Sequence, residues 1–467
     1  MKFTVVGSGI AGLSFSYEAL KKNHNVIVIE NSKFYGGLCK SFKKKNCVLD
    51  LGVHLFHGRD PEVLTIAKEI VPKNKWVSVK RIGKLYIGGK HVNWPIKITS
   101  LFQLPFTLSF NILADQFFLA FKAKIEGEKD KNYETEILSV YGKTLFNKFF
   151  KPLTEKFFQI NTNEIHADWA FSSIRSATKI EDKNFKDSYQ YLVKDTSDES
   201  KKSFNIFRFV FSQIANSFQK EDFYYFKDGY GTLANYYVKK IKSNNGSVLL
   251  NSKIEKIKFK DNVIQGITLD GKYQNVERLV WTGNLENLCS LLLIRPPKVK
   301  RLHSRFVYVF LKKNNVRHQV CYYIDKDISF VRATVLNNHY EGIIKNKKIK
   351  AVLCLEYTSS EQIIKDIDLF GDKEEYDVIK KDLLKVGLIN SHDDILDFHS
   401  IFVANTYPIF TTSYRKEIER VKKQINRFEN LTLFGRQGSF SYENADGLIK
   451  DAHWHGLLLK SQKNVKP

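Results

Sequence analysis

The chain has 467 residues, 43% of them apolar, and a formal net charge of +24. That length and apolar content exclude a disordered or fibrous polypeptide and allow a large core shared by two intimately joined domains. Five scattered cysteines (Cys39, Cys47, Cys289, Cys321 and Cys354), with no CxxC and no Cys/His cluster at metal-ligand spacing, exclude a disulfide framework and predict reduced core thiols and no metal site.

The first predicted elements are an apolar strand, Lys2–Val6, a glycine-rich turn, and a helix that begins within Gly7-Ser8-Gly9-Ile10-Ala11-Gly12. A second apolar strand, Asn25–Ile29, ends in Glu30. This layout builds a dinucleotide site. Gly7 permits the tight turn, Gly9 lets the backbone approach a pyrophosphate, and Gly12 allows close helix–strand packing. The helix N-terminus, with Ile10 and Ala11, offers N–H groups and a positive dipole end to phosphates. Glu30 stands where a carboxylate can accept both ribose hydroxyls. The plain alternative is a glycine turn in an ordinary βαβ unit. Asn31 follows the acid, and Gly36-Gly37-Leu38-Cys39 comes soon after. The double glycine makes a second close backbone approach, as needed when a bulky isoalloxazine extends beyond the diphosphate.

These residues resemble the FAD-binding signature of the amine oxidase, protoporphyrinogen oxidase and phytoene desaturase superfamily, which also includes UDP-galactopyranose mutase. The resemblance implies FAD as the cofactor. The oxidase pattern usually has a basic residue after the double glycine. Leu38-Cys39 departs from it and leans toward the mutases, which carry a polar residue and then Cys.

A strand pair is expected over Ser41–Leu51, followed by Gly52-Val53-His54-Leu55-Phe56-His57. That stretch resembles the mutase Gly-Pro-His-Ile-Phe-His run beside the flavin. A single His near a glycine turn is more commonly a hydrogen-bonded structural residue, so His54 and His57 carry both readings. A helix from Pro61 to Ile70 has proline at a favourable first-turn position. Residues 76–95 alternate and predict a hairpin turning at Gly88-Gly89. Residues 98–180 read as mainly helical, and 181–222 as an insertion or cap. Leu101–Phe121 is the nearest approach to a membrane span, but Gln103, Pro105, Asn111, Asp115 and Gln116 interrupt it. It reads as a buried helix of a substrate domain, with an interfacial helix touching a bilayer as the alternative.

From Phe223 the chain is expected to return to the first domain through a strand, a helix to about Ile241, and strands over 247–250, 254–260, 263–269 and 278–281. Strands within 303–358, a helical stretch over 360–388 and one more strand lead to the C-terminal motif. There a strand, Asn430–Arg436, a turn, and a helix from Leu448 to about Leu459 aim N–H groups at an acceptor such as the flavin pyrimidine carbonyl. Negative charge builds on that part of the ring upon reduction. The resemblance assigns this role to Gly435, Arg436, Asp446 and Leu448; Arg436 as a structural ion-pair partner is the plainer alternative. Tyr141–Lys156 and Glu164–Ala170 also resemble the superfamily's substrate domain. The resemblance is thinnest over 181–222 and 290–400.

The expected fold is α/β: a discontinuous, GR2-type, Rossmann-like FAD-binding domain (1–75, 223–300 and 401–467) with a mixed helical and antiparallel-sheet substrate domain (76–222 and 301–400). Two chemistries fit. In an oxidoreductase, flavin N5 accepts a hydride from substrate. In a mutase, reduced N5 attacks an anomeric carbon and displaces UDP. His54, His57, Arg175, Tyr407 and Tyr442 are the candidate catalytic residues. Tyr407-Pro408 resembles a mutase Tyr-Pro pair and Tyr442 falls where a mutase tyrosine meets the diphosphate, but where mutases show two closely spaced arginines around a proline only Arg175 could serve. Tyrosines in such places are more commonly core or rim residues than substrate ligands, so Tyr407 and Tyr442 carry both readings. A non-catalytic FAD-binding peripheral protein is the third reading. The basic balance favours an anionic small molecule such as a sugar nucleotide, or an acidic lipid surface, over neutral partners. An apolar substrate is the other expectation. No nucleic-acid-binding signature is present. With the fingerprint at residue 2 the expected location is cytoplasmic, with peripheral membrane contact.

Overall fold

The computed structural model describes residues 1–96, 98–121, 132–170, 222–359 and 373–459. A parallel sheet of five strands runs in the order β10 (Ser247–Leu249), β2 (Asn25–Ile29), β1 (Lys2–Val6), β14 (Arg278–Trp281), β20 (Leu431–Leu433). Its strands are short and rich in Val, Ile and Leu because both faces are covered. Along β14 the faces alternate. Val280 packs into the core beneath α1 (Ile10–Lys21), α6 (Thr232–Ser243) and α11 (Ala445–Leu458). Leu279 and Trp281 face the opposite core. That second core is closed by a meander of β11 (Ile254–Lys260), β12 (Val263–Leu269) and β13 (Lys272–Asn275), with α7 (Leu285–Leu291) and α9 (Tyr414–Ile425). The sheet draws on three distant parts of the chain, as expected of a discontinuous domain.

A second sheet of seven strands has the order β19 (Ile395–Ile409), β15 (Lys300–Leu311), β18 (Ala351–Ser359), β17 (Arg332–Val335), β16 (Val320–Tyr323), β7 (Gly83–Ile87), β8 (Lys90–Trp94). It is antiparallel except where β16 and β7 pair in parallel. Eleven of the twelve residues of β15 are buried, so this strand is the spine of the sheet. The β7–β8 hairpin turns at Gly88-Gly89, both with positive φ, as the alternation predicted. The stretch 76–95 is not a single hairpin, however. Its first part is β6 (Trp76–Val79), which joins β5 (Phe56–His57) and β9 (Phe223–Phe226) in a separate small sheet. The strand pair after the double glycine is β3 (Ser41–Lys44) with β4 (Cys47–Asp50).

Helix α2 spans Pro61–Ile70, and the Asp60 side chain caps it by accepting from the N–H groups of Glu62 and Val63. Helices α3 (Phe106–Phe121), α4 (Tyr133–Leu145) and α5 (Lys151–Phe158) lie along the chain between β8 and β9, with a π-helical turn at Phe146–Phe150 between the last two. Gly142 kinks α4 at φ +79°, where a Cβ would stand 2.6 Å from that of Asp115 on α3. Helix α8 covers Lys373–Lys385, part of the stretch read as helical over 360–388. The region 181–222 lies outside the described residues apart from its last one.

Two expectations are corrected. The C-terminal helix begins at Ala445 rather than Leu448, because Asn444 leaves the helical region and so puts Asp446 and Leu448 inside the first turn. Helix α3 is not buried. Ile112 and Leu108 face the substrate-side core, while Phe106, Phe110, Leu113, Phe117 and Phe118 are exposed, Phe106 at 83%, as is Phe102 on the 3₁₀ turn (Ile98–Gln103) before the helix. Among the described residues no helix is long and apolar enough to cross a membrane.

Candidate dinucleotide and substrate cleft

Each glycine of the first turn has its own physical demand. Gly7 has φ +99°, and a Cβ there would lie 2.4 Å from Thr282 Oγ1. A Cβ on Gly12 would lie 2.0 Å from the Gly7 carbonyl oxygen. A Cβ on Gly9 would meet no atom within 4 Å, so the mouth of the turn is open. Helix α1, which carries Ile10 and Ala11 in its first turn, has no side-chain cap, which leaves its leading N–H groups to a ligand. Glu30 ends β2 half-buried. Its carboxylate accepts from Ser8 N at 2.9 Å, Ser8 Oγ at 2.8 Å and Ser32 N at 2.8 Å, which fixes it beside the turn; Asn31 next to it is exposed.

The double glycine closes on the same turn. Gly36 N donates to Ser8 O at 2.8 Å, Gly36 pairs with Gly9 as an isolated parallel bridge, and both Gly36 and Gly37 have positive φ. Leu38 and Cys39 follow in a short 3₁₀ turn. Burial pushes the Cys39 thiol up to about 12, with the Asp50 carboxyl adding to this and Arg436 opposing it. It stays a thiol. This arrangement of open glycines, an uncapped helix and a fixed acid fits a dinucleotide. A dinucleotide would be held by Gly7, Gly9, Ile10, Ala11, Gly12, Glu30 and the Gly36–Cys39 turn.

The C-terminal motif stands against the same helix. Gly435 has φ +76°, and its Cβ would be 2.4 Å from that of Ala11. Leu448 anchors the first turn of α11 in the core. Helix α11 again has no side-chain cap, and Asp446 lies in its first turn. The short helix α10 (Gly435–Gly438) is tied to β19 and β15. Arg436 Nη2 donates to Thr406 O at 3.0 Å, Gln437 Nε2 donates to Asn405 O at 2.7 Å, and Arg301 donates to Gln437 Oε1. Arg301 is itself paired with Glu286 through two bonds of 2.7 and 2.8 Å.

Arg436 is the most informative side chain of the cleft. Its guanidinium lies over Tyr442 at 4.3 Å and over Tyr407 at 4.8 Å, and these two rings stack at 6.4 Å. Tyr442 also meets the edge of Trp169 at 4.9 Å. Among the described residues no carboxylate pairs with Arg436, and its Nε is buried without a partner. The structural ion-pair alternative therefore finds no acid here. Tyr407 belongs to a second network. Its hydroxyl donates to Glu356 Oε1 at 3.2 Å, and Arg332 Nη2 donates to Glu356 Oε2 and to the Tyr407 oxygen at 3.3 Å. Glu356 is almost wholly buried, so the Arg332 charge is neutralised inside the protein.

His54 stacks on Tyr230 at 4.9 Å, and its Nε2 bonds the Leu51 carbonyl at 3.0 Å. Burial first, then the charge of Arg332, depresses it to about 4, so it is neutral near pH 7. His57 does not share these partners: its ring meets Phe223 at 5.1 Å on the β5–β9 pair. The two histidines thus part company. Beneath them Asp50 is buried and accepts from Ser41 Oγ at 2.5 Å, from the Tyr225 hydroxyl and from Tyr230 N at 3.1 Å. Arg332, Glu356, Tyr230 and Asp50 were not singled out from sequence, and no local pattern marks them. Arg175 lies outside the described residues. A cavity of about 580 Å³ beyond the edge strand β20, between α9 and α11, shares only Gly435 and Tyr442 with the predicted site residues.

A family model for an NAD(P)-binding Rossmann-like domain matches residues 5–70. An uncharacterised protein of Methanocaldococcus jannaschii is 33% identical over 134 residues, which is 28% of this chain and 32% of that protein. Coproporphyrinogen III oxidase of Staphylococcus aureus is 30% identical over 103 residues, 22% of each chain. The chain thus spans about a third or less of the length of these curated relatives. Among solved structures, reduced UDP-galactopyranose mutase superposes with a TM-score of 0.72 at 16% identity, covering 97% of this chain and 93% of its own. A putative protoporphyrinogen oxidase from Exiguobacterium sp. 255-15 gives 0.71 at 13% identity, covering 98% of both. The chain therefore has the fold of these enzymes, and the α/β architecture and superfamily resemblance read from its sequence are borne out at that level.

Proposed function

We propose that the protein is an FAD-dependent oxidoreductase acting on a small substrate that is apolar or uncharged where it meets the cleft. The observation that carries this reading is Arg436, a cation without an acid partner among the described residues, lying over the rings of two tyrosines beside the uncapped start of α11. A fixed positive charge there suits the negative charge that a flavin ring gains on reduction. FAD bound in this cleft supplies a hydride acceptor. Glu30 holds the ribose, the first turn of α1 the phosphates, and His54 remains a neutral hydrogen-bonding group. Buried Glu356 matches the Arg332 charge, although Arg332 Nε has no partner, so the Arg332–Glu356–Tyr407 network positions Tyr407 and has no net positive charge to offer a diphosphate. That tilts the balance from a sugar nucleotide toward a redox substrate.

The exposed stripe on α3 fits an apolar substrate. Phe106, Phe110, Leu113 and Phe117 recur at helical spacing on one face, and exposed Phe102 stands on the 3₁₀ turn before the helix. At ~1.5 Å rise per residue the sixteen residues of α3 fall short of a bilayer core. Exposed Lys143 and Lys148 on the neighbouring segment and the net charge of +24 suit an anionic surface. The stripe is read as a face that rests on such a membrane.

The mutase reading is supported by Tyr407 and Tyr442 converging on Arg436. An anaerobic spectrum before and after dithionite, with titration of UDP and then of amines, porphyrinogens and polyenes, separates the readings. Bleaching of the flavin by a donor supports the oxidoreductase. A UDP-dependent change in the reduced spectrum with no donor activity moves the mutase ahead. Flavin that responds to no candidate supports a non-catalytic role, and failure to bind FAD at all sinks every reading.

A further inference from the structure

Remote from the glycine turn, the substrate-side sheet gathers three metal-ligating side chains. His91 lies on β8, His318 just before β16, and Cys321 on β16. One ligand atom from each lies within 4.8 Å of the other two. The imidazole rings are 5.4 Å apart. The Nε2 atoms of both histidines are buried and lack any hydrogen-bond partner. Leaving buried polar atoms unsatisfied costs about 1–3 kcal/mol each, so the arrangement calls for an atom that is not protein. Besides water, the partner that two imidazoles and a thiol bind in common is a borderline or soft metal ion.

We propose that His91, His318 and Cys321 form a structural site for a divalent transition metal, with zinc as the ion of choice and water in the fourth position. Cys321 is fully buried and is a free cysteine. Binding therefore exchanges the S–H bond for an S–metal bond and releases one proton to solvent. Lys84 opposes the ion, but its ammonium is turned aside to Asn93 Oδ1 at 2.6 Å. The site would clamp the β7–β8 hairpin onto β16, where Cys321 stands opposite Lys84 in the parallel register. The sequence pattern His318-x-x-Cys321 is visible, but its third member is far away in the chain. A reading of local spacing, which gave the expectation of no metal site, does not see all three residues together.

The test uses the full flavoprotein. Metal is removed with a chelator, Co²⁺ is added, and the difference spectrum against metal-free protein is recorded. The expected result is a thiolate-to-cobalt charge-transfer band that saturates at one ion per chain, with about one proton released per ion and displacement by Zn²⁺. The band should vanish in Cys321→Ser. His318→Gln should weaken binding, and Zn²⁺ should raise the thermal midpoint of the wild type but of neither variant. If the wild-type protein gives no such band and Zn²⁺ leaves its midpoint unchanged, the histidines are bridged by water and the proposal fails. The wild-type measurements decide even if a variant does not fold, and they do not depend on which substrate the flavin serves.

Discussion

Gly9 and Gly12 belong to one turn but answer to different constraints. A methyl group on Gly12 strikes a backbone carbonyl, which cannot move without unmaking the strand–helix contact. Gly12→Ala should therefore cost at least ~3 kcal/mol and lower the yield of folded protein. Gly9→Ala meets nothing in the protein and should unfold within about 0.5 kcal/mol of wild type while failing to retain flavin, because the methyl occupies the approach to the phosphates. Denaturant melts and visible absorbance of both variants check this pair, and equal flavin retention in Gly9→Ala would contradict it. At this scale the sequence is legible where a residue's role follows from its neighbours. Gly12 shows the close helix–strand contact its spacing implied, and Gly7 the positive φ that a tight turn demands. Arg332 and Glu356 were invisible because their meaning comes from pairing across strands β17 and β18, and the chain between them carries no sign of it.

Among the elements, α2 was readable to the residue because proline and the Asp60 cap punctuate it. Helix α3 was misread for a physical reason: apolar composition reports how much surface avoids water, not which face of a helix a neighbour covers. Replacing Phe106, Phe110 and Phe117 together with Ser should leave the thermal midpoint within a few degrees, because these side chains pack on little. The same variant should lose co-sedimentation with anionic vesicles. Self-association that is abolished by the triple change, with no vesicle binding by wild type, would reassign the stripe to a dimer. Helix α7 makes a different prediction. Its Glu286 is the acid partner of the nearly buried Arg301, which in turn steadies Gln437 beside Arg436. Glu286→Ala strands a buried cation and should cost about 3–5 kcal/mol in unfolding free energy. Glu286→Gln should cost less and keep the flavin in place.

For the molecule as a whole, acid should be the more damaging direction of pH. Burial first, then the charge of a neighbour, depresses His54 to about 4 and His339 to about 3, while both sit near 6.5 in the unfolded chain. The folded state thus binds fewer protons between those values, and stability present above pH 6.5 is lost as pH falls through that window. Each histidine can contribute up to roughly 3 kcal/mol to the loss, and the large positive charge adds self-repulsion. Urea midpoints measured from pH 7 to pH 4 should fall steadily, and His339→Gln should flatten the slope; a flat wild-type profile would refute the assignment.

The order of the parallel sheet also bears on how the protein is made. Its strands come from residues 2–29, 247–281 and 431–433, and the edge strand β20 arrives last. A ribosome therefore extrudes β1 and β2 long before β14 can dock between β1 and the edge. During that interval an apolar ribbon has no permanent neighbour, and its pairing must wait for contacts of very high sequence separation. Early synthesis should be the time at which this protein most needs a chaperone, and chains stalled before residue 430 should be recovered as aggregates rather than as a stable half-domain.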